Sequence, residues 1–326
     1  MRAWHVTRHG EPEEVLELVD VPDPVPGPGE VLIRVAAVAA NFPDVLLSRG
    51  EYQVRPPLPF TPGIELSGTV VSVGDGVVGL APGQRVVGSG IGVLSELAVL
   101  PAGDVHPAPD ALDDIAAAGL MIAYQTAWFG LHRRGRMRAG DWVLVHAAAG
   151  GVGAAAVQLA VAAGARVIGV VGSATKTDVA RAAGAEEVLR RDADDIAARV
   201  KEITGGHGAD VVFDPVGGAA FTASTKCIAF EGRLVVVGFA SGEIPQAAAN
   251  HALVKNYSID GLHWALYAQR RPDLVREAHA ELTRLAAEGA IRPVVHEVVP
   301  FLEAPAAIQL LAGGTTTGRI VIEVGA

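Results

Sequence analysis

The run His146-Ala-Ala-Ala-Gly-Gly-Val-Gly153 combines small side chains and glycines at a spacing suited to cradling a pyrophosphate. A strand that turns on glycine into a helix aims backbone N–H groups and the positive end of the helix dipole at one spot. Gly150 and Gly153 supply the close approach and the tight packing. Gly151 and Val152 lie between them, and Ala148 stands where the usual three-glycine fingerprint begins. The neighbours match the required elements, an apolar strand over Trp142–His146 and a small-residue helix running to about Ala163. No charged residue occurs from Trp142 to Ala165, a length that could cross a bilayer. The central glycines, and the excess of Ala and Gly over Leu, Ile and Phe, argue instead for a parallel strand covered on both faces. An α/β turn that binds no nucleotide is the bland alternative.

The end of the following strand bears on which dinucleotide would fit. A site for NAD wants a carboxylate about 20 residues after the glycine turn, to accept from the ribose 2′-OH. Val171-Gly-Ser-Ala-Thr-Lys176 contains no acid. Gly172 leaves room for a 2′-phosphate, Ser173 can donate to it and Lys176 brings charge, with Arg190 and Arg191 following the third strand. Lys176 as a solvated helix-start residue, and the arginines as surface lining, is the competing account of each residue taken singly. Together they favour NADPH.

Such a site needs a sheet to carry it. Strand candidates at Arg166–Val171, Glu187–Leu189, Ala209–Asp214, Arg233–Gly238 and Tyr257–Leu262 alternate with helical stretches at Thr175–Ala183, Ala193–Thr204, Gly218–Ala229 and Ala247–Lys255. This alternation predicts an α/β, doubly wound parallel sheet, with ligands outside the carboxyl ends of its strands. Residues before about Met121 read differently, as short strands with Pro/Gly turns (Val31–Val38, Ser67–Val73) and no helical period until Ala111–Gly119. After Leu262 come a helix over Pro272–Glu288, a strand at Val294–Val298, a helix at Ala304–Ala312 and a strand at Arg319–Val324. The predicted organisation is a dinucleotide domain over 123–262, inserted between a β domain over 1–122 and a segment, 263–326, that completes it.

A chain of 326 residues can bury two substantial cores. Its formal net charge of −10 speaks against nucleic acid or an anionic membrane as partner. The one cysteine, Cys227, allows no internal disulfide and suits a reducing compartment. With no apolar targeting core in Met-Arg-Ala-Trp-His-Val-Thr7, the expectation is a cytoplasmic protein. The ten histidines show no metal-ligand spacing.

Several segments together resemble the zinc-independent quinone oxidoreductase (zeta-crystallin-like) branch of the medium-chain dehydrogenase/reductase superfamily. They are Ala39-Ala-Asn-Phe-Pro-Asp44, Arg49-Gly-Glu-Tyr52, Pro62-Gly-Ile-Glu-Leu-Ser-Gly68, the 146–153 turn, Val212-Phe-Asp-Pro-Val-Gly-Gly218, Val237-Gly-Phe-Ala-Ser-Gly242 and Gly318-Arg-Ile-Val321, the last with arginine where lysine is commoner. The resemblance runs along essentially the full length. It implies a Rossmann sheet inserted in a mostly β, GroES-like catalytic domain, and commonly a homodimer paired through edge strands, here around Ser258–Gly261. Zinc enzymes of the superfamily carry a catalytic cysteine near Asn41 and a histidine before the glutamate, where this chain has Ile64 before Glu65. Their cysteine-built structural zinc lobe has no counterpart between Gly88 and Pro101.

Chemistry follows from that difference. Oxidising a simple alcohol requires removal of a proton with a pKa of about 16, which a metal can depress toward about 7. No Tyr-x-x-x-Lys pair offers a substitute base. Hydride addition to a quinone or conjugated enone leaves a delocalised phenolate or enolate, which a hydrogen-bond donor or water can protonate. The expected activity is therefore NADPH-dependent reduction of a small-molecule quinone or α,β-unsaturated carbonyl. By resemblance, Asn41, Asp44 and Tyr52 face the nicotinamide: Tyr52 as proton donor, Asn41 orienting the carbonyl, Asp44 organising the loop. A ring packed under the Pro56-Pro57 loop is the alternative for Tyr52, and a turn-forming role that for Asn41. Leu46 stands where relatives often have a second tyrosine. Thr126 borders the nicotinamide in the family, Gly238 and Phe239 present backbone groups to its carboxamide, and Gly217 lets the chain pass the ribose. Trp264 and Tyr267 shape the substrate pocket or simply pack. The 145–153 run is also similar to polyketide enoyl reductase modules, so an enoyl-thioester reductase is the second reading. An NADPH-binding structural or redox-sensing protein with little turnover is the third.

Overall fold

Short apolar runs broken by Pro and Gly fold the N-terminal stretch into β1 (Arg2–Val6), β2 (Leu16–Asp20), β3 (Glu30–Ala40), β4 (Glu65–Val73), β5 (Arg85–Ser89), β6 (Leu97–Pro101) and β7 (Val105–Pro107). Helices α1 (Pro12–Val15), α2 (Phe42–Arg49) and α3 (Asp114–Ala118) interrupt them. After α4 (Met121–Trp128) come β8 (Trp142–His146), α5 (Gly151–Ala162), β9 (Arg166–Val171), α6 (Thr177–Ala182), β10 (Glu187–Arg190), α7 (Ile196–Ile203), β11 (Ala209–Asp214), α8 (Gly218–Cys227), β12 (Ile228–Val236), α9 (Ala249–Lys255) and β13 (Ser258–Gly261). Two further helices, α10 (Trp264–Arg270) and α11 (Pro272–Ala287), precede β14 (Val295–Pro300), α12 (Ala304–Ala312) and β15 (Arg319–Glu323).

The computed structural model describes residues 1–325. They divide into two units, one of residues 1–122 with the segment from Arg292 onward, the other of residues 123–291. In the first, a seven-stranded sheet runs β14-β15-β3-β4-β5-β7, with β6 also paired to β3. Strand β15 lies between β14 and β3, matching Ile320 to Ala40 and Ile322 to Val38, so the last strand sits inside the sheet. Val31, Ile33 and Val35 of β3 point into a core shared with Leu66, Val86, Ile320 and Ile322. Burying each such side chain stabilises the unit by about 1.5–3 kcal/mol.

The second unit is a six-stranded parallel sheet in the order β10-β9-β8-β11-β12-β13. Every residue of β8 is buried, which accounts for the unbroken apolar run as a central strand. Among the described residues no helix is long and apolar enough to cross a membrane. Strand order reverses between β8 and β11, so the turns after these strands flank the crevice where such sheets bind ligands.

Three details depart from the sequence expectation. Helix α2 lies in a stretch where the sequence shows no helical period, because eight residues containing Pro43 carry no apolar repeat; proline is tolerated there since it sits in the first turn, after Asn41 as N-cap. Strand β12 starts at Ile228, not Arg233, with Glu231 at a positive φ of 59° and a register irregularity against β11 that no alternation pattern announces. The segment 263–291, assigned on sequence to the catalytic domain, packs with the parallel-sheet unit: Gln125 Nε2 donates to Val275 O at 3.0 Å and Phe129 meets Tyr267 at 4.4 Å between ring centroids.

Candidate functional site

In the parallel-sheet unit, β8 ends at His146 and Ala147 turns the chain with a positive φ of 52°. Ala148, fully buried, places its methyl where a side chain on Gly169 would stand, only 2.9 Å away. Glycine on β9 thus makes room for alanine at the first position of the fingerprint. Gly150 is the N-cap of α5, and Gly151, Val152 and Gly153 form its first turn. Their amides begin a helix and have no acceptor four residues back, so they are available to an anion. Gly153 cannot carry a side chain: a Cβ would lie 2.0 Å from Ala147 O.

At the end of β9 a Cβ on Gly172 would meet Arg191 Nη2 at 3.2 Å, so the guanidinium borders the space that this glycine leaves. Lys176 is half-buried, and burial together with the Arg191 charge lowers its ammonium below the ordinary range. Two cations held side by side favour an anion between or above them. Ser173 Oγ lies 3.0 Å from Thr175 Oγ1 in the same loop. Arg190 is engaged by Asp192 at 3.1 Å, whereas Arg191 has no carboxylate partner among the described residues. Of the two arginines that follow the third strand, Arg191, the one expected to bind the cofactor, is the one that borders Gly172.

Next to β8, Asp214 closes β11 and its Oδ1 accepts from Val216 N at 2.8 Å and Gly217 N at 3.0 Å. Gly217, at φ 72°, has Glu243 O and Phe239 Cδ1 2.9 Å from the position of a Cβ. Gly238 is half-buried with Pro215 O nearby, and Phe239 is exposed. His146 donates through Nε2 to Ser224 Oγ at 2.8 Å, since that hydroxyl itself donates to Ala220 O. Burial lowers the imidazole pKa against the opposing Asp214 charge, so His146 is neutral. Sequence reasoning saw His146 only as a strand residue and missed Ser224. Thr126 is buried on α4, Tyr267 stacks on Phe129, and Trp264 is buried with no partner for its Nε1 among the described residues.

The first unit holds a different kind of site. Asn41 is 3 % exposed and Asp44 1 %. Asn41 N donates to Asp44 Oδ2 at 2.8 Å and Gly63 N to Asp44 Oδ1 at 3.2 Å, which pins the start of α2 to the 62–63 turn. The Asn41 amide is fully engaged: Nδ2 donates to Ala39 O at 2.9 Å and Glu65 Oε2 at 3.0 Å, and Oδ1 accepts from Arg319 Nη1 at 2.8 Å. Arg319 Nη2 also donates to Glu65 Oε2, and Ile122 N to Glu65 Oε1 at 2.7 Å. Desolvation pushes the Asp44 carboxyl up to about 7, against the two backbone donors and Arg319; Glu65 is raised for the same reason. Helix α2 stops at Gly50, whose φ of 70° lies in the left-handed region that favours glycine and beside which the His9 ring packs (2.9 Å from a Cβ). Tyr52 follows, half-buried, its ring packed on the apolar core. Burial and then the Asp44 charge raise its phenol pKa, so it keeps its proton at neutral pH. Asn41 and Asp44 are thus joined directly, and Tyr52 is tied to them through α2. Glu65 and Arg319 are the members that sequence reasoning did not place.

Two cofactors can be weighed against these residues. The glycine cradle, the carboxylate-free end of β9 and the Lys176–Arg191 pair fit a phosphorylated dinucleotide. A zinc ion does not fit the Asn41 cluster. Its two carboxylates are already engaged, Asp44 by two backbone amides and Glu65 by a guanidinium, Ile64 is apolar, and the only cysteine, Cys227, belongs to the parallel-sheet unit.

Residues 27–110 match the family model described as alcohol dehydrogenase GroES-like domain, and residues 151–280 the one described as zinc-binding dehydrogenase. A quinone oxidoreductase-like protein 2 homolog of Nematostella vectensis is 39 % identical over 300 residues, covering 91 % of this chain and 82 % of that protein. A mycocerosic acid synthase-like polyketide synthase of Mycobacterium tuberculosis is 34 % identical over 300 residues, 92 % of this chain but 14 % of the synthase. The crystal structure of Escherichia coli quinone oxidoreductase complexed with NADPH superposes with a TM-score of 0.92 at 31 % identity, covering 99 % of this chain and 100 % of that one.

Proposed function

The chain belongs to the medium-chain dehydrogenase/reductase superfamily, among its quinone oxidoreductase-like members, and from that premise we propose that it is an NADPH-dependent, zinc-independent reductase of quinones or related α,β-unsaturated carbonyls. The observation that carries this reading is the end of β9, where Gly172 borders Arg191 beside Lys176 and the run 171–176 contains no acid. NADPH, when bound, supplies the hydride. The chain's own residues do the rest. The amides of Gly151, Val152 and Gly153 hold the pyrophosphate, with Ala148 and Gly150 shaping the turn. Gly172, Ser173, Lys176 and Arg191 take the 2′-phosphate. Gly217, Gly238 and Phe239 line the nicotinamide half with Thr126, and Trp264 and Tyr267 shape the substrate pocket. Tyr52 holds a proton on its phenol at neutral pH and delivers it to the substrate oxygen, where charge develops as the conjugated system is reduced. Asp44 and Asn41 set the helix that carries Tyr52. Where resemblance implies that Asn41 orients the substrate carbonyl, its hydrogen bonds to Ala39, Glu65 and Arg319 support reading it as part of the scaffold.

A homodimer through β13 belongs to the same reading. Among the described residues that strand pairs only with β12, and Phe230, Leu253 and Val254 are exposed at 69 %, 77 % and 73 %. The match to a polyketide synthase favours a second reading, an enoyl-thioester reductase using the same residues. The test is NADPH oxidation followed at 340 nm with a chelator present, using quinones, conjugated enones and 2-enoyl thioesters in parallel and repeating each with NADH. Turnover with quinones or enones supports the first reading. Turnover confined to thioesters selects the second, and binding of NADPH without turnover leaves a structural or redox-sensing protein.

A further inference from the structure

Arg319 opens β15 and is 5 % exposed, yet it is the only cation bonded to the buried carboxylate of Glu65 among the described residues. Its stem packs against Gly119, where a Cβ would lie 3.2 Å from Arg319 Cγ, so the side chain has little freedom. From that position its two terminal nitrogens reach different residues, Nη1 to Asn41 Oδ1 and Nη2 to Glu65 Oε2. Asn41 Nδ2 closes the ring by donating to the same Glu65 oxygen. The amide of Asn41 is thereby held in one orientation, because a flip would set Nδ2 against the guanidinium and Oδ1 against the carboxylate. Lysine, a point charge with no planar fork, matches this pair of acceptors less well.

A buried ion pair of this kind contributes little net stability compared with apolar residues of similar size. Its effect is on geometry. Asn41 is the N-cap of α2, its backbone N–H binds Asp44, and Tyr52 stands two residues beyond the Gly50 that ends the helix. We propose that Arg319 is a positioning residue for the reduction: by clamping Asn41 and Glu65 together it fixes the start of α2, and with it the place at which Tyr52 presents its proton. This inference rests on the proposed role of Tyr52.

The test compares wild type with R319M/E65Q and R319K. The double variant removes both charges at once, and the glutamine side chain that replaces Glu65 would still accept from Ile122 N. NADPH affinity, kcat, KM, the solvent deuterium isotope effect on kcat, the pH profile and Tm are measured for each. The expected result for R319M/E65Q is NADPH affinity within about twofold of wild type and kcat lower by roughly 10- to 100-fold, the scale of a misplacement of about 1 Å. The isotope effect should rise, because proton delivery becomes limiting, with R319K intermediate in both. An active wild type whose variants keep kcat and isotope effect within twofold, or lose activity only in proportion to unfolded protein, overturns the positioning role. Should the double variant not fold, R319K decides alone by the same two readouts. A wild type that turns over none of the acceptors instead overturns the proposed function, and this inference with it.

Discussion

Replacing Arg191 by alanine should change cofactor choice and little else. Its guanidinium lies beside the open side of Gly172 and has no carboxylate partner among the described residues, so its charge is available to a 2′-phosphate. A hydrogen bond to an ionised group contributes about 1.5–3 kcal/mol. Arg191 is solvent-exposed, and screening takes the low end of that range, about 1.5 kcal/mol or roughly tenfold in affinity. Lys176 remains and, relieved of the neighbouring charge, holds its proton more firmly. The expected outcome is a roughly tenfold weaker Kd for NADPH by titration calorimetry, a shallower salt dependence, and a Kd for NADH unchanged within about twofold. An equal loss for both cofactors would mean that Arg191 maintains the loop and does not read the phosphate. No loss for either would refute the placement of the phosphate at the end of β9.

Gly153→Ala should be costly out of proportion to one methyl, because the new Cβ would meet the Ala147 carbonyl at 2.0 Å and backbone has to move. Overpacking of this kind costs about 1–3 kcal/mol, so a lower Tm together with at least roughly tenfold weaker NADPH binding is expected; normal binding would show that the turn is more plastic than its geometry. Asp44 makes stability depend on pH. Its folded-state pKa of about 7 lies above the ordinary 3.8, so the native state holds the proton more tightly. That contribution is fully present below about pH 4 and is lost as pH rises through about 7, by up to about 4 kcal/mol for a shift of about three. Denaturant midpoints measured from pH 4 to 8 should therefore fall more steeply for wild type than for D44N, and equal slopes would contradict the raised pKa.

The parallel sheet was legible because its chemistry is local. A strand covered on both faces must be apolar throughout, and Gly172, Asp214 and the 147–153 turn punctuate the strand ends where the chain has to reverse. Strands β8, β9 and β11 accordingly begin and end where the residues predict. Helix α2 escaped because its signal is a cap and not a period, although Asn41, Pro43 and Asp44 together spell an N-terminus. The boundary of the nucleotide unit escaped for another reason: α11 carries a clear apolar face, but nothing in that face says which sheet it will cover. The Arg319–Asn41–Glu65 ring is the hardest case, since Arg319 lies 278 and 254 residues along the chain from its two partners. A buried charge is recognisable only once the fold has brought its partner.

The placement of β15 inside its sheet also bears on how the chain is made. The Ala37–Ala40 end of β3 finds its β15 partners only after some 280 further residues have been added, roughly 14 to 56 seconds at ordinary synthesis rates. Residues 123–291 are contiguous and have no such delay. On the ribosome the inserted unit can therefore mature while the first remains an open sheet with an unsatisfied edge. For that interval β3 is a binding surface for chaperones and for other nascent chains, and a substitution weakening β15 would lower yield before it lowered activity.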